Sequence, residues 1–181
     1  TRAATVAEDG SWHVDFAAAE VPLGTYAAPA RVTSTDAAGN TDMVTGTVQV
    51  DTDAPDAPFI SSFTKGLTGV RSVGSPTTED TLDIQQVAAD GAVAQVDYTT
   101  AQNPAFGETT FNFNEPIPDG SHLVVTRTDE AGNHSGTLFV LDETTTSEVD
   151  LSNPGLERFD IAAIDLTFAS DTTLTITDAQ L

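Results

Sequence analysis

Apolar and polar residues alternate along most of this chain with a period near two, in runs of five to eight residues. In Ser11-Trp12-His13-Val14-Asp15-Phe16, three large apolar side chains fall on one face. A strand pattern of this kind buries one face and wets the other. The same reading predicts strands over Tyr26–Thr35 and Met43–Val50. Pro29 places the first of these at an edge or bulge, because proline donates nothing to a ladder. Further strands are predicted at Phe59–Phe63, Asp80–Val87, Ala92–Thr99, Thr109–Phe113, His122–Thr128 and Gly136–Leu141, with a weaker one near Val70–Val73. Turn signals separate them: Gly66, Ala89-Asp90-Gly91, Asn103-Pro104, Pro118-Asp119-Gly120 and Ala131-Gly132-Asn133. Three more alternating runs follow, Glu157–Ile161, Ile164–Phe168 and Thr173–Thr177. No segment sustains a 3.6-residue period, so the expected fold class is all-β.

One motif is written twice. Thr35-Asp36-Ala37-Ala38-Gly39-Asn40 recurs as Thr128-Asp129-Glu130-Ala131-Gly132-Asn133, and each copy leads into a β-rich run that ends on an acid, Asp51 and Asp142. Repetition on this scale indicates tandem domains. The stretch Asp51–Pro58 carries two prolines, which stiffen a connection and remove donors, and it reads as the domain boundary. About seven short strands with regular turns then match an immunoglobulin-like sandwich. The expected organisation is residues 1–54 as the C-terminal part of one such domain, 55–145 as a complete domain, and 146–181 as the start of a further β module. The polar run Thr144-Thr145-Thr146-Ser147 reads as the connector to that module.

Charge narrows the partners. The chain has 181 residues, 28 acidic and 6 basic, for a formal net charge of −22. Phosphate recognition needs clustered Lys and Arg, so nucleic acid is disfavoured, and an anionic membrane surface is disfavoured by the same sign. No apolar run has the length of a membrane span. There is no cysteine, so disulfides and thiolate metal sites are ruled out. Crowded carboxylates repel unless salt or cations screen them, and multivalent cations are the obvious relief. The acidic, Thr-rich composition with a single Lys suits an extracellular bacterial β-protein.

The repeated T-D-x-A-G-N segment resembles the bacterial immunoglobulin-like repeats of giant adhesins secreted by the type I (RTX) route, the Bap-like biofilm adhesins. Three further segments carry the likeness. They are Ala7-Glu8-Asp9-Gly10-Ser11-Trp12, the turn Val21-Pro22-Leu23-Gly24-Thr25-Tyr26 with its counterpart Ile117-Pro118-Asp119-Gly120-Ser121-His122, and Val50-Asp51-Thr52-Asp53-Ala54-Pro55. The likeness covers residues 1 to about 145. Leu141-Asp142-Glu143-Thr144 departs from the pattern by lacking Ala-Pro, and the glycine-rich RTX nonapeptides are absent. The resemblance implies a secreted, cell-surface extender that supports adhesion or biofilm formation, whose partners are neighbouring domains of the same long chain and calcium ions. In such adhesins calcium at the domain junctions stiffens the rod.

The acids give that expectation an address. In a seven-strand sandwich the turn before the last strand lies beside the incoming linker. This predicts that Asp51, Asp53 and Asp56 approach Asp129, with Asp90 at the same end. Calcium takes six to eight oxygen ligands, so carboxylates distant in sequence suit it. Asp142 and Glu143 are candidates for the next junction. For Asp36 and Asp129 a plain turn role competes evenly with a ligand role, because Asp at a turn bonds its own backbone. No segment fits an EF-hand loop.

Catalytic constellations are sparse. His13, His122 and His134 fall on different predicted elements. Gly132-Asn133-His134-Ser135-Gly136 sets His beside Ser without the nucleophile-elbow spacing. The chain is therefore expected not to be an enzyme. Trp12 and Phe16 read as core, with a sugar-stacking platform as the competing role. The alternatives to an extender are a carbohydrate-binding module and an accessory domain of an extracellular hydrolase.

Overall fold

A computed structural model describes residues 2–88, 90–118, 121–141, 148–169 and 173–175, with side chains omitted at 148–150 and 173–175. Asp142, Glu143, the Thr144–Ser147 connector, Asp119-Gly120 and the end of the Thr173–Thr177 run lie outside these residues. The described chain is almost entirely β, with one short 3-10 turn at Ala18–Glu20. No helix among the described residues is long and apolar enough to cross a membrane. The chain divides into two compact units, Thr1–Asp53 and Ala54–Leu181. The break falls inside the proline-containing stretch.

The first unit is built on one hairpin. Strands β1 (Thr25–Thr35) and β2 (Thr41–Asp51) pair antiparallel over their full length, from Thr25↔Asp51 to Thr35↔Thr41. Pro29 is tolerated because a two-stranded sheet consists only of edges. None of the described residues in this unit is buried. The alternation in Ser11–Phe16 does not become a strand, and Trp12 and Phe16 are exposed, not packed with Val14. Alternation gives a segment the potential to form a strand; pairing requires a neighbour, and this segment has none within the described unit.

The second unit has two larger sheets. One orders β3 (Ser62–Gly66), β4 (Gly69–Pro76), β8 (Glu108–Ile117) and β7 (Tyr98–Asn103) as β3-β4-β8-β7. The other runs β12-β10-β9-β5-β6, from β5 (Thr81–Val87), β6 (Val93–Gln95), β9 (His122–Thr128), β10 (His134–Val140) and β12 (Ile161–Asp165). Every pairing in the two sheets is antiparallel except β10 with β12. A separate backbone pair joins β11 (Glu148–Asp150) and β13 (Thr173–Thr175) in parallel.

Side chains from both large sheets meet in one apolar cluster. Val70, Val73 and Phe111 come from one sheet, and Ile84, Val125 and Phe139 from the other. Each fully buried side chain of this size contributes roughly 1.5–3 kcal/mol relative to exposure. The weak prediction near Val70–Val73 becomes β4, a central strand of eight residues. Its Gly and Ser residues hide the pattern, because small side chains in a crowded interior carry no hydrophobic signal. The expected single strand Ala92–Thr99 is divided between the two sheets as β6 and β7, with Val96 buried at the crossing.

Residues 146–181 are expected to open a further module; 148–169 and 173–175 of them are described. Here β12 joins the large sheet beside β10, and Leu156 packs on Val87, Val124, Leu138 and Val140. The cause is legible in hindsight. Leu123-Val124-Val125 and Leu138-Phe139-Val140-Leu141 are apolar without interruption, the pattern of strands covered on both faces. The inner face meets the opposite sheet, and the outer face requires a cover.

Candidate functional site

The repeated motif builds the same turn twice. In the first copy the Asp36 amide donates to the Asn40 carbonyl at 2.9 Å and the Gly39 amide to the Asp36 carbonyl at 3.0 Å. In the second the corresponding bonds are Asp129 to Asn133 at 3.0 Å and Gly132 to Asp129 at 3.2 Å. Gly39 and Gly132 have φ of 88° and 91°, a left-handed conformation that residues with a Cβ adopt at a cost. The carboxylates play one role. Asp36 accepts from the Asn40 amide at 2.8 Å and its Nδ2 at 2.7 Å, and Asp129 from the Asn133 amide at 2.9 Å and its Nδ2 at 3.0 Å. Each motif thus closes a hairpin, β1–β2 and β9–β10, with Thr35↔Thr41 and Thr128↔His134 as last pairs.

These bonds favour the charged carboxylate. The Asn40 side-chain amide beside Asp36, followed by backbone amides, holds that carboxyl below the usual range. The Asn133 side-chain amide does the same for Asp129. Both oxygens of each carboxylate accept from within the turn. Of the two roles left open by the sequence, the plain turn accounts for the geometry of both residues.

The other candidate ligands separate into groups. Asp51 and Asp53 converge at the end of β2, where the Thr25 hydroxyl lies 2.8 Å from Asp51 Oδ1 and 3.0 Å from Asp53 Oδ2. A hydroxyl carries one proton and donates it to one carboxylate at a time. The Asp53 amide also donates to Asp51 Oδ1, at 3.1 Å. Two exposed carboxylates thus share a few ångströms of space. Asp56 is exposed in the second unit. Ala54 borders a depression with His134 and Ser135, so the start of this unit lies near the end of the sheet that carries the Asp129 turn.

Asp90 is elsewhere. Strand β5 pairs with β9 so that Thr81 faces Thr128 and Val87 faces His122. The Asp90 turn follows Val87, while Asp129 follows Thr128. The two acids therefore sit at opposite ends of the strands, roughly 20 Å apart by strand rise. This corrects the expectation that Asp90 shares an end with Asp129: one strand separates turns at opposite ends, and Asp90 follows the wrong one. Asp90 instead accepts from the Ala92 amide at 3.0 Å, an ordinary turn bond. Asp142 and Glu143 are outside the described residues. Among the described residues no three His, Asp or Glu side chains gather closely enough to hold a metal ion by themselves. The Asp51–Asp53 pair with Thr25 fits part of a calcium shell, and water would complete it.

One pairing escaped the sequence reading. His134 Nε2 lies 2.8 Å from Asp160 Oδ2, across the β10–β12 contact. Asp160 belongs to a segment expected in another module, so nothing in sequence linked the two. The depression they border, with Phe159, Ile161 and Ala162, measures about 390 Å³. The neighbouring Ser135 hydroxyl is buried and makes no hydrogen bond among the described residues. It is therefore not bonded to the His134 imidazole. Comparison of the chain with protein-family models, curated proteins and solved structures finds no match.

Proposed function

We propose that the chain is a structural extender segment of a secreted, surface-attached bacterial adhesin, formed from successive immunoglobulin-like domains and without catalytic activity. The observation that carries this reading is the motif turn built twice on equivalent antiparallel hairpins, one in each compact unit. A repeated hairpin favours an array of like domains over a single catalytic core. The strand order of the second unit supports the finer fold. Matched to the strand letters of immunoglobulin domains, β3-β4-β8-β7 follows the ABED sheet, and β10-β9-β5 follows GFC with β6 added at its edge. In this reading the β1–β2 hairpin is the closing pair of a preceding domain, and the exposed Val32, Met43, Val44 and Val48 are apolar surface that its partner strands cover.

Calcium at the junction belongs to the same proposal. Asp51 and Asp53 are its ligands, with the Thr25 hydroxyl beside them and water in the remaining positions. A bound divalent ion replaces repulsion between two carboxylates by attraction to a shared centre and stiffens the exit from β2. A dissociation constant of roughly 10⁻⁴ to 10⁻³ M matches extracellular calcium. Calorimetric titration of the wild type against Asp53→Ala and Thr25→Val tests this. Both substitutions should weaken binding, Asp53→Ala most. Equal binding by all three proteins refutes the junction site.

A second reading draws on one observation. Trp12 and Phe16 are 51% and 62% exposed, and Arg2 lies 5.2 Å from the Phe16 ring centroid. Exposed aromatics are the platform a carbohydrate-binding module needs. A glycan array decides: binding lost in Trp12→Ala supports the module, and an empty array leaves the extender.

A further inference from the structure

The first unit holds a hairpin turn whose arms are not paired. The Ala7 amide donates to the Ser11 carbonyl at 2.9 Å, and the Gly10 amide to the Ala7 carbonyl at 3.0 Å. The same two bonds join Asp36 to Asn40, Ala88 to Ala92 and Asp129 to Asn133. Each of those turns closes a paired β-hairpin, β1–β2, β5–β6 and β9–β10. Gly10 has a φ of 83°, close to the 85° of Gly91. Asp9 Oδ1 accepts from the Ser11 amide at 2.9 Å, as Asp90 Oδ1 does from the Ala92 amide at 3.0 Å. No strand is formed on either side of the Ala7–Ser11 bond, yet the two arms lie close. Residues 2–5 and 13–15 line one cleft of about 460 Å³. Pairing that starts from Ala7 and Ser11 sets Val6 opposite Trp12, Ala4 opposite Val14 and Arg2 opposite Phe16. The last of these contacts is already made, with the Arg2 guanidinium 5.2 Å from the Phe16 ring centroid.

The β1–β2 hairpin offers this segment a surface. Its register sets Ala28 opposite Val48, Ala30 opposite Gly46 and Val32 opposite Val44, all on one face. Ala30 and Gly46 hold the same places relative to their motif turn as Leu123 and Phe139, which face the core between the sheets of the second unit. The first hairpin is therefore small where its counterpart is large, and a close-packed layer over it must supply the missing volume. We propose that residues 2–16 form a β-hairpin that closes as a lid over this face, with Trp12, Val14 and Phe16 turned inward. The two large rings fill the hollow at Ala30 and Gly46. Arg2 falls at the rim, where Glu20 pairs with it. Closure relieves two exposures together, the valines of the hairpin face and the aromatics of the lid. It also withdraws Trp12 and Phe16 from any ligand. The lid presupposes the reading of β1–β2 as a hairpin that other strands cover, and it assigns those strands to this chain. The closed unit remains small, so its amides still exchange faster than those of the second unit.

Trp12 is the single tryptophan, so the fluorescence of the full chain reads the lid directly. Its emission should lie to the blue of a hydrated indole and resist quenching by acrylamide. Gly46→Glu should return it to the hydrated emission. A Cβ at Gly46 meets nothing within 4 Å with the lid open, so this variant leaves β1–β2 intact and blocks closure alone. Met43→Glu, on the opposite face, should change nothing. A nuclear Overhauser contact between the α-protons of Ala4 and Val14 should report the pairing within the lid. A hydrated Trp12 in the wild type overturns the lid. A shielded Trp12 that stays shielded in Gly46→Glu is buried elsewhere and overturns it too, as does a missing Ala4–Val14 contact. The methyls of Val44 and Val48 separate this failure from that of the underlying reading. If Trp12 is hydrated while these methyls are shielded from a soluble paramagnetic agent, other strands cover the face and only the lid fails. Methyls open to the agent sink both.

Discussion

At the scale of single residues, Asp129 and Gly132 divide the work of the motif turn. The Asn133 amides hold the Asp129 carboxyl below its ordinary value of 3.8. A carboxyl depressed on folding adds stability that is present above the unfolded value and disappears as pH falls through the folded one. The β9–β10 turn should therefore loosen only as pH drops below about 4. Following the Asn133 amide resonances by NMR checks this, and Asp129→Asn should remove the transition. The same experiment on Asp36 and Asn40 should give a parallel result, since the bonding is equivalent. Gly132 tests the backbone alone. A Cβ there meets nothing within 4 Å, yet φ is 91°. Gly132→Ala should cost about 1–2 kcal/mol from the left-handed conformation. Urea unfolding measures it, and a neutral effect means the turn does not hold that φ in solution.

Elements add what residues do not. Strands β9 and β10 are buried on both faces, and the two faces depend on different partners. Phe139 points into the core between the sheets, and Leu138 toward Leu156 and the rest of the 151–169 segment. Phe139→Ala should cost about 3–5 kcal/mol and Leu138→Ala about 2–5. Their distinction lies in coupling. A Cβ on Gly155 would meet the Gly91 carbonyl oxygen at 2.6 Å, so Gly155→Val should lift the 151–169 segment, and in a double-mutant cycle with it Leu138→Ala should lose a large part of its effect. Val125→Ala, whose side chain lies in the inter-sheet core, should remain additive. Denaturant midpoints of the single and double variants measure both, and additivity at Leu138 contradicts the role of the 151–169 segment as cover.

For the whole molecule, the two units differ in how much they bury. The first has no buried residue among those described, while the second holds two apolar clusters. An isolated two-stranded hairpin is marginally stable in water. Amides of β1 and β2 should therefore exchange orders of magnitude faster than those of β9 and β10, whose opening approaches global unfolding. Hydrogen exchange read by mass spectrometry compares the hairpins directly. Equal protection indicates that the first hairpin is covered by something else in solution.

The all-β class and most strand positions were legible in sequence, because alternation and turn residues act locally. So was the repeated motif, whose Asp, Gly and Asn each serve a bond within five residues. Local patterns do not say which strands become neighbours. That decided three outcomes: the opposite placement of Asp90 and Asp129, the centrality of a Gly- and Ser-rich β4, and the return of β12 to β10. It also paired His134 with Asp160. In sequence the runs Leu123–Val125 and Leu138–Leu141 read only as strands; that both of their faces are covered came from the tertiary structure. Only the tertiary structure showed that the cover is the chain's own C-terminal segment, since burial requires a partner surface and a one-dimensional pattern does not name it.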